Sequence, residues 1–265
     1  MLNLRSNREI KQLRQAGLVV WQAHQAVAER VAAGTTTAEL DDAVEAIFAR
    51  VNAIPLFKGV PGKTPFPAAT CTSVNEEIVH GIPGNRVLKA GDIVSVDTGC
   101  KVNGWCGDSA QTYSVGQIDS RSQQLLEVTS GALDLAIELL TKEPTWSRIA
   151  RQMQDYVESA GFSVVKEFVG HGIGRELHEK PQVPNFWSEN TSKSEDFQLK
   201  TGLVLAIEPM VNAGSGKSQC LADHWTQATI DGERSAHFEH TVALTADGPL
   251  RLTGPPMAGE GLPAE

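Results

Sequence analysis

The segment GDIVSVDTGCKVNGWCGDSAQTYSVG, residues 91–116, decides the fold of the first half of the chain. Within it, Asn103-Gly104 is the strongest two-residue signal for a β-hairpin. A two-residue turn there pairs Asp97 with Ala110 and puts Asp108 two residues along on the same face. Diagonal neighbours on one face lie roughly 7–8 Å apart, so both carboxylates can reach a shared ion. Alone, the hairpin is better explained by two ordinary aspartates near a turn, where Asp is common.

Two other carboxylates lie in apolar strand patterns beyond the hairpin. Glu208 ends the run GLVLAIE, residues 202–208, and Glu239 lies inside HFEHTVALT, residues 237–245. Each alone is compatible with an ordinary salt bridge. Burying several carboxylates without partners is costly, so the whole set points to a common partner such as a metal ion.

Glycine-flanked histidines stand between these strands. His171 and His178 lie in VGHGIGRELHEKP, residues 169–181, and His80 lies in NEEIVHGIPG, residues 75–84. The glycines around His171 allow the backbone to approach another group closely. Carboxylates with one imidazole suit divalent Mn, Fe, Co or Zn. Two such ions about 3.5–4 Å apart activate water for peptide hydrolysis.

Helical patterns flank the strands. Apolar spacing predicts a helix over residues 8–33 that ends at Gly34, and a second helix that starts at the capping box of Thr36 and Glu39. Two more helices are predicted over roughly residues 121–141 and from about Pro144 to Gly161.

The helical pattern that starts at Thr36 recurs at Thr145, an offset of 109 residues. From this pattern alone, two similar α/β halves and two unrelated amphipathic helices are equal explanations. We expect one catalytic domain over residues 1–252, an exposed loop over 187–200 and a flexible tail over 253–265.

The composition is that of a globular protein, with 41% hydrophobic and 21% charged residues in 265. A net charge of -9 gives no basic footprint for specific nucleic-acid binding, and the four cysteines form no CxxC pair. The sequence shows neither a secretory signal nor an apolar segment of membrane length, so we expect a cytoplasmic protein without membrane contact. The GSGKS run at residues 214–218 fails as a phosphate-binding loop because its first glycine position is Val211.

Five segments, in their order and spacing, resemble the bacterial type I methionine aminopeptidases over almost the whole chain. They are NEEIVHGIPG, GDIVSVDTGCKVNGWCGDSAQTYSVG, GHGIGRELHEKPQVPN, GLVLAIEPMV and SAHFEHTVALT. The resemblance implies an α/β (α+β) pita-bread fold, with two pseudo-symmetric halves around a curved antiparallel sheet. It also implies a metalloaminopeptidase that removes the N-terminal methionine from nascent proteins and peptides and prefers a small second residue.

The resemblance assigns the site residues as well. Two divalent ions (Co, Mn, Fe or Zn) would be held by Asp97, Asp108, His171, Glu208 and Glu239. A hydroxide that bridges the ions would attack the substrate carbonyl, and Glu208 would exchange protons with the attacking water. His178 would hydrogen-bond the tetrahedral centre, and His80 would assist the departing nitrogen, so both would also bind substrate.

The same resemblance implies an apolar pocket for the methionine side chain, lined by Cys71, Phe66, Leu177 and Trp225. Three residues depart from the family pattern and bear on the shape of this pocket. Lys63 replaces a Tyr, Leu177 replaces an aromatic residue and His237 replaces a Gln. Asn75 and Ser235 match positions that bind a structural monovalent cation in some relatives.

Peptide and nascent-protein N-termini are the expected partners, with ribosome association and a monomeric state as further implications. A proline-specific peptidase (an Xaa-Pro aminopeptidase or a prolidase) is one alternative. Those enzymes usually carry a large N-terminal domain, whereas this chain reaches its catalytic hairpin before residue 100. A non-catalytic peptide-binding module on the same fold is another alternative, but such proteins typically lose metal ligands.

Overall fold

The computed structural model describes residues 2–188 and 196–263. Four helices lie in these ranges: α1 (Asn7–Ala28), α2 (Thr37–Arg50), α3 (Ser120–Leu139) and α4 (Trp146–Ser159). None of them is long and apolar enough to cross a membrane. The expected exposed loop at 187–200 falls largely on residues 189–195, which lie outside the described ranges.

The strands of the described ranges form four antiparallel sheets. In chain order they are β1 (Ile54–Pro55), β2 (Thr70–Val74), β3 (Glu77–Val79), β4 (Ile93–Val102), β5 (Trp105–Ser114), β6 (Ser163–Val164), β7 (Gly170–Gly172), β8 (Glu179–Val183), β9 (Val204–Ile207), β10 (Met210–Asn212), β11 (Ser218–Cys220), β12 (Gln227–Thr229), β13 (Ser235–His237), β14 (His240–Thr245) and β15 (Gly248–Arg251). The two largest sheets have the order β1-β4-β2, with β5 also paired to β4, and the order β15-β14-β9-β7-β8.

The predicted hairpin is confirmed. Strands β4 and β5 pair in register, with Asp97 opposite Ala110 and the two-residue turn between Val102 and Trp105. Both turn residues, Asn103 and Gly104, have positive φ angles of 50° and 78°. This conformation is that of a type I′ turn, whose twist matches that of the flanking strands.

The first helix ends earlier than predicted. It stops at Ala28, not at Gly34, because the chain must turn back to enter α2. Gly34 lies in that turn with φ of 98°, and its amide donates to the carbonyl of Leu88 at 2.9 Å. The capping box that begins α2 is confirmed, since the Thr36 hydroxyl accepts from the amide of Glu39 and the Glu39 carboxylate accepts from the amide of Thr36.

The internal repeat is visible in the elements themselves. Helices α2 and α4 have 14 residues each and start 109 positions apart, at Thr37 and Trp146. The short strands that follow them, β1 and β6, keep the same offset. This equal spacing favours two similar α/β halves over two unrelated amphipathic helices.

Each half has its own apolar core. Side chains of α1, α2, β2 and β4 pack together in the first half, and side chains of α3, α4, β9 and β14 pack together in the second. Burial of these apolar surfaces is the main term that holds helices against strands. The sheets of the two halves meet where the segment before β14 lies beside β5, since the amide of Glu239 donates to the carbonyl of Ala110.

The C-terminal segment packs back onto α1. Arg14 is only 4% exposed, and its guanidinium donates to the carbonyls of Leu252, Gly254 and Pro255 and to the Glu260 carboxylate. The domain boundary at residue 252 stays a prediction, but these contacts argue against a freely moving segment as far as Glu260.

Candidate metal centre and substrate cleft

A cleft of about 580 Å³ lies between the two halves and contains the ionisable residues singled out in the sequence. Its polar wall is formed by His80, Asp97, Asp108, His171, His178, Glu208 and Glu239. Its apolar wall is formed by Phe57, Val60, Phe66, Cys71, Leu177 and Trp225. A buried acidic cluster therefore adjoins an apolar pocket, the arrangement expected for a metal centre beside a side-chain subsite.

Hydrogen bonds across the two halves bring the carboxylates together. The amide of Glu239 donates to the carbonyl of Ala110 at 2.8 Å, and the hydroxyl of Ser109 donates to the carbonyl of Glu239 at 2.6 Å. The hydroxyl of Thr241 donates to the backbone carbonyl of Asp108 at 2.8 Å. Asp97 and Asp108 lie on β4 and β5, whereas Glu208 directly follows β9 and Glu239 lies between β13 and β14 and not within a strand as its pattern predicted. Backbone pairing of both halves thus fixes the carboxylates, as a precise ligand site requires.

The orientation of His171 leaves one ring nitrogen available to a metal. Its Nδ1 lies 3.0 Å from the carbonyl of Gly172, which places the proton on Nδ1. The other nitrogen, Nε2, lies 3.7 Å from Asp108 Oδ2 and 3.6 Å from Glu208 Oε1. The flanking glycine is needed, because a Cβ on Gly172 would lie 2.4 Å from the carbonyl oxygen of Lys180.

Burial and crowding make this cluster unfavourable as a set of bare carboxylates. Burial raises the pKa of Asp108 to about 7, and burial with the nearby Asp108 raises the pKa of Glu208 well above its usual value. The pKa values of Asp97 and Glu239 are raised for the same reasons. Burial lowers the pKa of His171 to about 4, so this imidazole is neutral near pH 7.

The residues present fit a divalent metal. Asp108, His171 and Glu239 each offer a ligand atom, and these atoms all lie within 4.8 Å of one another. Among the described residues, one buried oxygen of each of Asp97, Asp108 and Glu239 has no hydrogen-bond partner. Oxygens left in this way are costly unless a cation satisfies them, and oxygen with imidazole nitrogen is a typical donor set for Mn, Fe, Co or Zn.

The accessory histidines flank the acidic cluster. The rings of His171 and His178 meet edge to face with centroids 4.4 Å apart. His80 adopts a left-handed backbone conformation with φ of 60°, which a residue other than glycine rarely takes. Burial lowers the pKa of His80 to about 4 and also lowers that of His178, so both rings are neutral near pH 7.

His237, which the sequence related only to the shape of the pocket, lies beside Glu208 in the cluster. Its ring is 1% exposed, and its Nε2 lies 3.5 Å from Glu208 Oε2 without a hydrogen-bond partner among the described residues. Thr112 fixes its backbone through a hydroxyl that accepts from the His237 amide and donates to its carbonyl. Two signals in the sequence marked this position: the replacement of the family's Gln, and its place two residues before Glu239.

The four predicted pocket residues all line the apolar wall. Phe66 and Trp225 meet edge to face at 5.2 Å between centroids, and the indole Nε1 donates to the carbonyl of Thr64 at 2.8 Å. Lys63 does not line the cleft: it is exposed, and its Nζ contacts His224 Nε2 at 2.6 Å. Of the three departures from the family pattern, Leu177 lines the cleft, His237 contacts Glu208, and Lys63 lies outside the pocket.

Asn75 and Ser235 lie next to each other but away from the cleft. The amide of Ser235 donates to the carbonyl of Asn75 at 2.8 Å. The Asn75 side chain is engaged with Asp92 and with the amide of Ile93, and the Ser235 hydroxyl donates to the carbonyl of Val211. A monovalent cation at this position stays a prediction.

Comparison with known proteins points to one family. Residues 11–246 match the model for metallopeptidase family M24. The chain is 47% identical to methionine aminopeptidase 1 of Bacillus subtilis over 248 residues, which cover 94% of this chain and 97% of the relative. It superposes on methionine aminopeptidase from Thermotoga maritima with a TM-score of 0.89 at 41% identity, covering 96% of this chain and all of that one.

The proline-specific alternative shares the fold but little sequence. The prolidase of Pyrococcus furiosus superposes with a TM-score of 0.71 at 22% identity. The match covers 96% of this chain but 66% of the prolidase. This likeness supports the expected pita-bread architecture and nothing more specific.

Proposed function

This chain belongs to metallopeptidase family M24, and we propose that it is a methionine aminopeptidase. Its reaction is hydrolysis of the peptide bond after an N-terminal methionine. The observation that supports this reaction best is the junction of the acidic cluster with an apolar wall in one cleft.

The metal ligands in this proposal are Asp97, Asp108, His171, Glu208 and Glu239. Two divalent ions held there would supply a water of lowered pKa and would polarise the substrate carbonyl. Their identity among Co, Mn, Fe and Zn depends on metal supply as much as on the ligands, because this donor set accepts all four.

Proton transfer falls to side chains at the edge of the cluster. Glu208 takes a proton from the attacking water and returns it, because its carboxylate is the one with both His171 and His237 beside it. His178 donates a hydrogen bond to the oxygen that becomes negative at the substrate carbon. His80, neutral and half-buried, is placed to assist the departing nitrogen.

The methionine side chain occupies the apolar wall. Phe66, Cys71, Leu177 and Trp225 enclose the space where a thioether would lie, and sulfur packs favourably at the edge of an aromatic ring. Cys71 acts there as a small apolar residue, because burial and the nearby Asp97 raise the pKa of its thiol well above the usual value.

A peptide panel with defined metal content tests the proposal. Wild-type protein should release methionine from Met-Ala peptides, lose this activity to a chelator and regain it with Mn, Co or Fe ions. Cleavage of Xaa-Pro peptides at an equal or higher rate would favour the prolidase-like alternative. Binding of the peptides without any cleavage in the metal-replete protein would favour a peptide-binding module.

A further inference from the structure

The turn at residues 174–179 supplies one residue to each wall of the cleft. It joins β7 to β8 and presents both Leu177 and His178. Two backbone hydrogen bonds anchor its beginning, from the amide of Gly174 to the carbonyl of Glu176 at 3.1 Å and from the amide of Cys106 to the carbonyl of Gly174 at 2.8 Å. The end of the turn depends on a side chain, the carboxylate of Glu179.

The Glu179 carboxylate gathers four donors. Two are backbone amides of the turn itself, Arg175 at 2.9 Å and Glu176 at 3.3 Å. The other two come from the N-terminal segment: Asn3 Nδ2 at 2.9 Å and the Arg5 guanidinium. One carboxylate therefore connects the start of the chain to the turn that carries His178.

Arg5 is itself held in place. Its amide donates to the carbonyl of Gly202 at 2.7 Å, and its guanidinium lies 5.4 Å from the ring centre of Trp105. Its side chain and that of Glu179 are both 13% exposed. Gly174 permits this close fit, since a Cβ there would lie 2.0 Å from the Arg5 guanidinium and 2.5 Å from the Glu179 carboxylate.

We infer that the Arg5–Glu179 pair, with Asn3, is an N-terminal latch that positions Leu177 and His178 for the reaction. The inference rests on the proposed function. Neither Arg5 nor Glu179 lines the cleft itself, although Glu179 lines an adjoining pocket that shares His171 and His178 with it, so the pair acts by positioning the turn. Breaking a partly buried pair by removing one partner leaves the other charge uncompensated, which loosens the backbone that depends on it.

The test compares Arg5→Met with Arg14→Met in the full-length protein. Both changes remove a guanidinium that is bound to a carboxylate, but Arg14 holds the C-terminal segment and not the turn. We expect Arg5→Met to reduce kcat for a Met-Ala peptide by about tenfold to a hundredfold, because displacements of about 1 Å at catalytic groups have effects of this size. Affinity for Mn, measured by calorimetry, should change less than about twofold, because none of the proposed metal ligands lies in residues 174–179. Such a change corresponds to little binding free energy.

Arg5→Lys should restore part of kcat, and Arg14→Met should leave kcat near the wild-type value. Hydrogen exchange adds a readout that is independent of activity: in Arg5→Met, amides of residues 174–179 should exchange faster than in Arg14→Met. If Arg5→Met does not fold, Glu179→Gln removes the charge with little change of shape and carries the same expectations.

The latch is overturned if Arg5→Met keeps wild-type kcat and wild-type exchange of the turn. It is also overturned if Arg14→Met loses as much kcat as Arg5→Met, because both would then report general destabilisation. Failure of the wild-type protein to cleave Met-Ala peptides would count against the proposed function, while the exchange comparison would still decide whether the latch holds the turn.

Discussion

His237 is the residue whose contact with Glu208 has the clearest catalytic consequence. Its Nε2 has no hydrogen-bond partner among the described residues and lies 3.5 Å from Glu208 Oε2, so a small approach of the two groups would let a neutral imidazole donate from Nε2 to the carboxylate and fix the direction in which Glu208 exchanges protons. Hydrogen bonds to charged groups contribute about 1.5–3 kcal/mol. We therefore expect His237→Phe to lower kcat by roughly tenfold to a hundredfold, as this free energy implies. Steady-state kinetics should show a smaller change in KM.

His237→Gln is the matched variant, because an amide retains a donor at a similar position. It should keep most of kcat while His237→Phe loses it. Equal activities of the two variants would mean that the contact with Glu208 has no role in proton transfer.

Individual residues differ in how far the sequence could reveal them. Glu208 and Glu239 could be singled out because each lies in an apolar strand pattern, where an unpaired charge is costly, whereas the hairpin alone favoured two ordinary aspartates and the resemblance made Asp97 and Asp108 ligands. The contact of His237 with Glu208 could not be predicted, because it depends on the pairing of β13 with β10, which puts Met210 opposite His237. Lys63 is the opposite case, a residue that the sequence over-interpreted. The resemblance relates it to the pocket, but its side chain contacts His224 and does not line the cleft.

Helix α1 approaches the hairpin at a point where glycine is required. A Cβ on Gly107 would lie 2.7 Å from the amide nitrogen of Gly17 and 2.8 Å from the carbonyl carbon of Ala16. Gly107→Ala should therefore push α1 away from β5 at a cost of about 1–3 kcal/mol, the usual range for overpacking. Thermal unfolding should show a lower Tm, by about 2–4 °C per kcal/mol for a chain of this size.

Gly84→Ala is the control for this prediction. The space around a Cβ on Gly84 is open to 4 Å, so the added methyl group meets nothing. Its Tm should equal or exceed that of the wild-type protein, since alanine restricts the unfolded chain. If both variants melt alike, close packing of α1 on β5 does not limit stability.

Local signals predicted the elements better than their ends. Asn103-Gly104 and the Thr36–Glu39 capping box are complete within a few residues, and both are present as expected. The predicted end of α1 was wrong because the chain turns back into α2 although the apolar pattern continues to residue 33. The hydrogen bond between Gly34 and Leu88 holds this turn. The N-terminal latch depends on partners 174 residues apart, which no local pattern reports.

The C-terminal segment is bound to the first helix through hydrogen bonds and an ion pair of Arg14. Deletion of residues 255–265 removes the carbonyl of Pro255 and the carboxylate of Glu260 from a guanidinium that is 4% exposed. Loss of such partners costs about 1–3 kcal/mol, so the truncated protein should melt at a lower temperature but bind Mn as before. An unchanged Tm would show that the segment is not anchored in solution.

The acidic cluster joins the two halves and makes the stability of the metal-free protein depend on pH. The folded state keeps a proton on Asp108 up to a pKa of about 7, whereas the unfolded state releases it near 3.8. Asp97, Glu208 and Glu239 act in the same direction, so this stabilisation is lost as pH rises through the folded pKa values. Buried histidines oppose this trend at lower pH. His171 has a pKa of about 4 in the folded state and 6.5 in the unfolded state, so its contribution to the stability of the folded protein is lost as pH falls.

The contribution of Asp108 is measured against a variant that keeps the buried histidines. In the presence of a chelator, the Tm of the wild-type protein should fall relative to that of Asp108→Asn as pH rises from about 4 to about 7, because only the wild-type protein has a carboxyl here that stays protonated in the folded state while it ionises in the unfolded state. Metal ions bind the deprotonated carboxylates, so saturating Mn should remove or reverse the slope, and a concentration 100 times the Kd adds about 2.7 kcal/mol. A difference in Tm between the two chelated proteins that stays constant over this window would show that the Asp108 carboxyl is not held buried and crowded without metal.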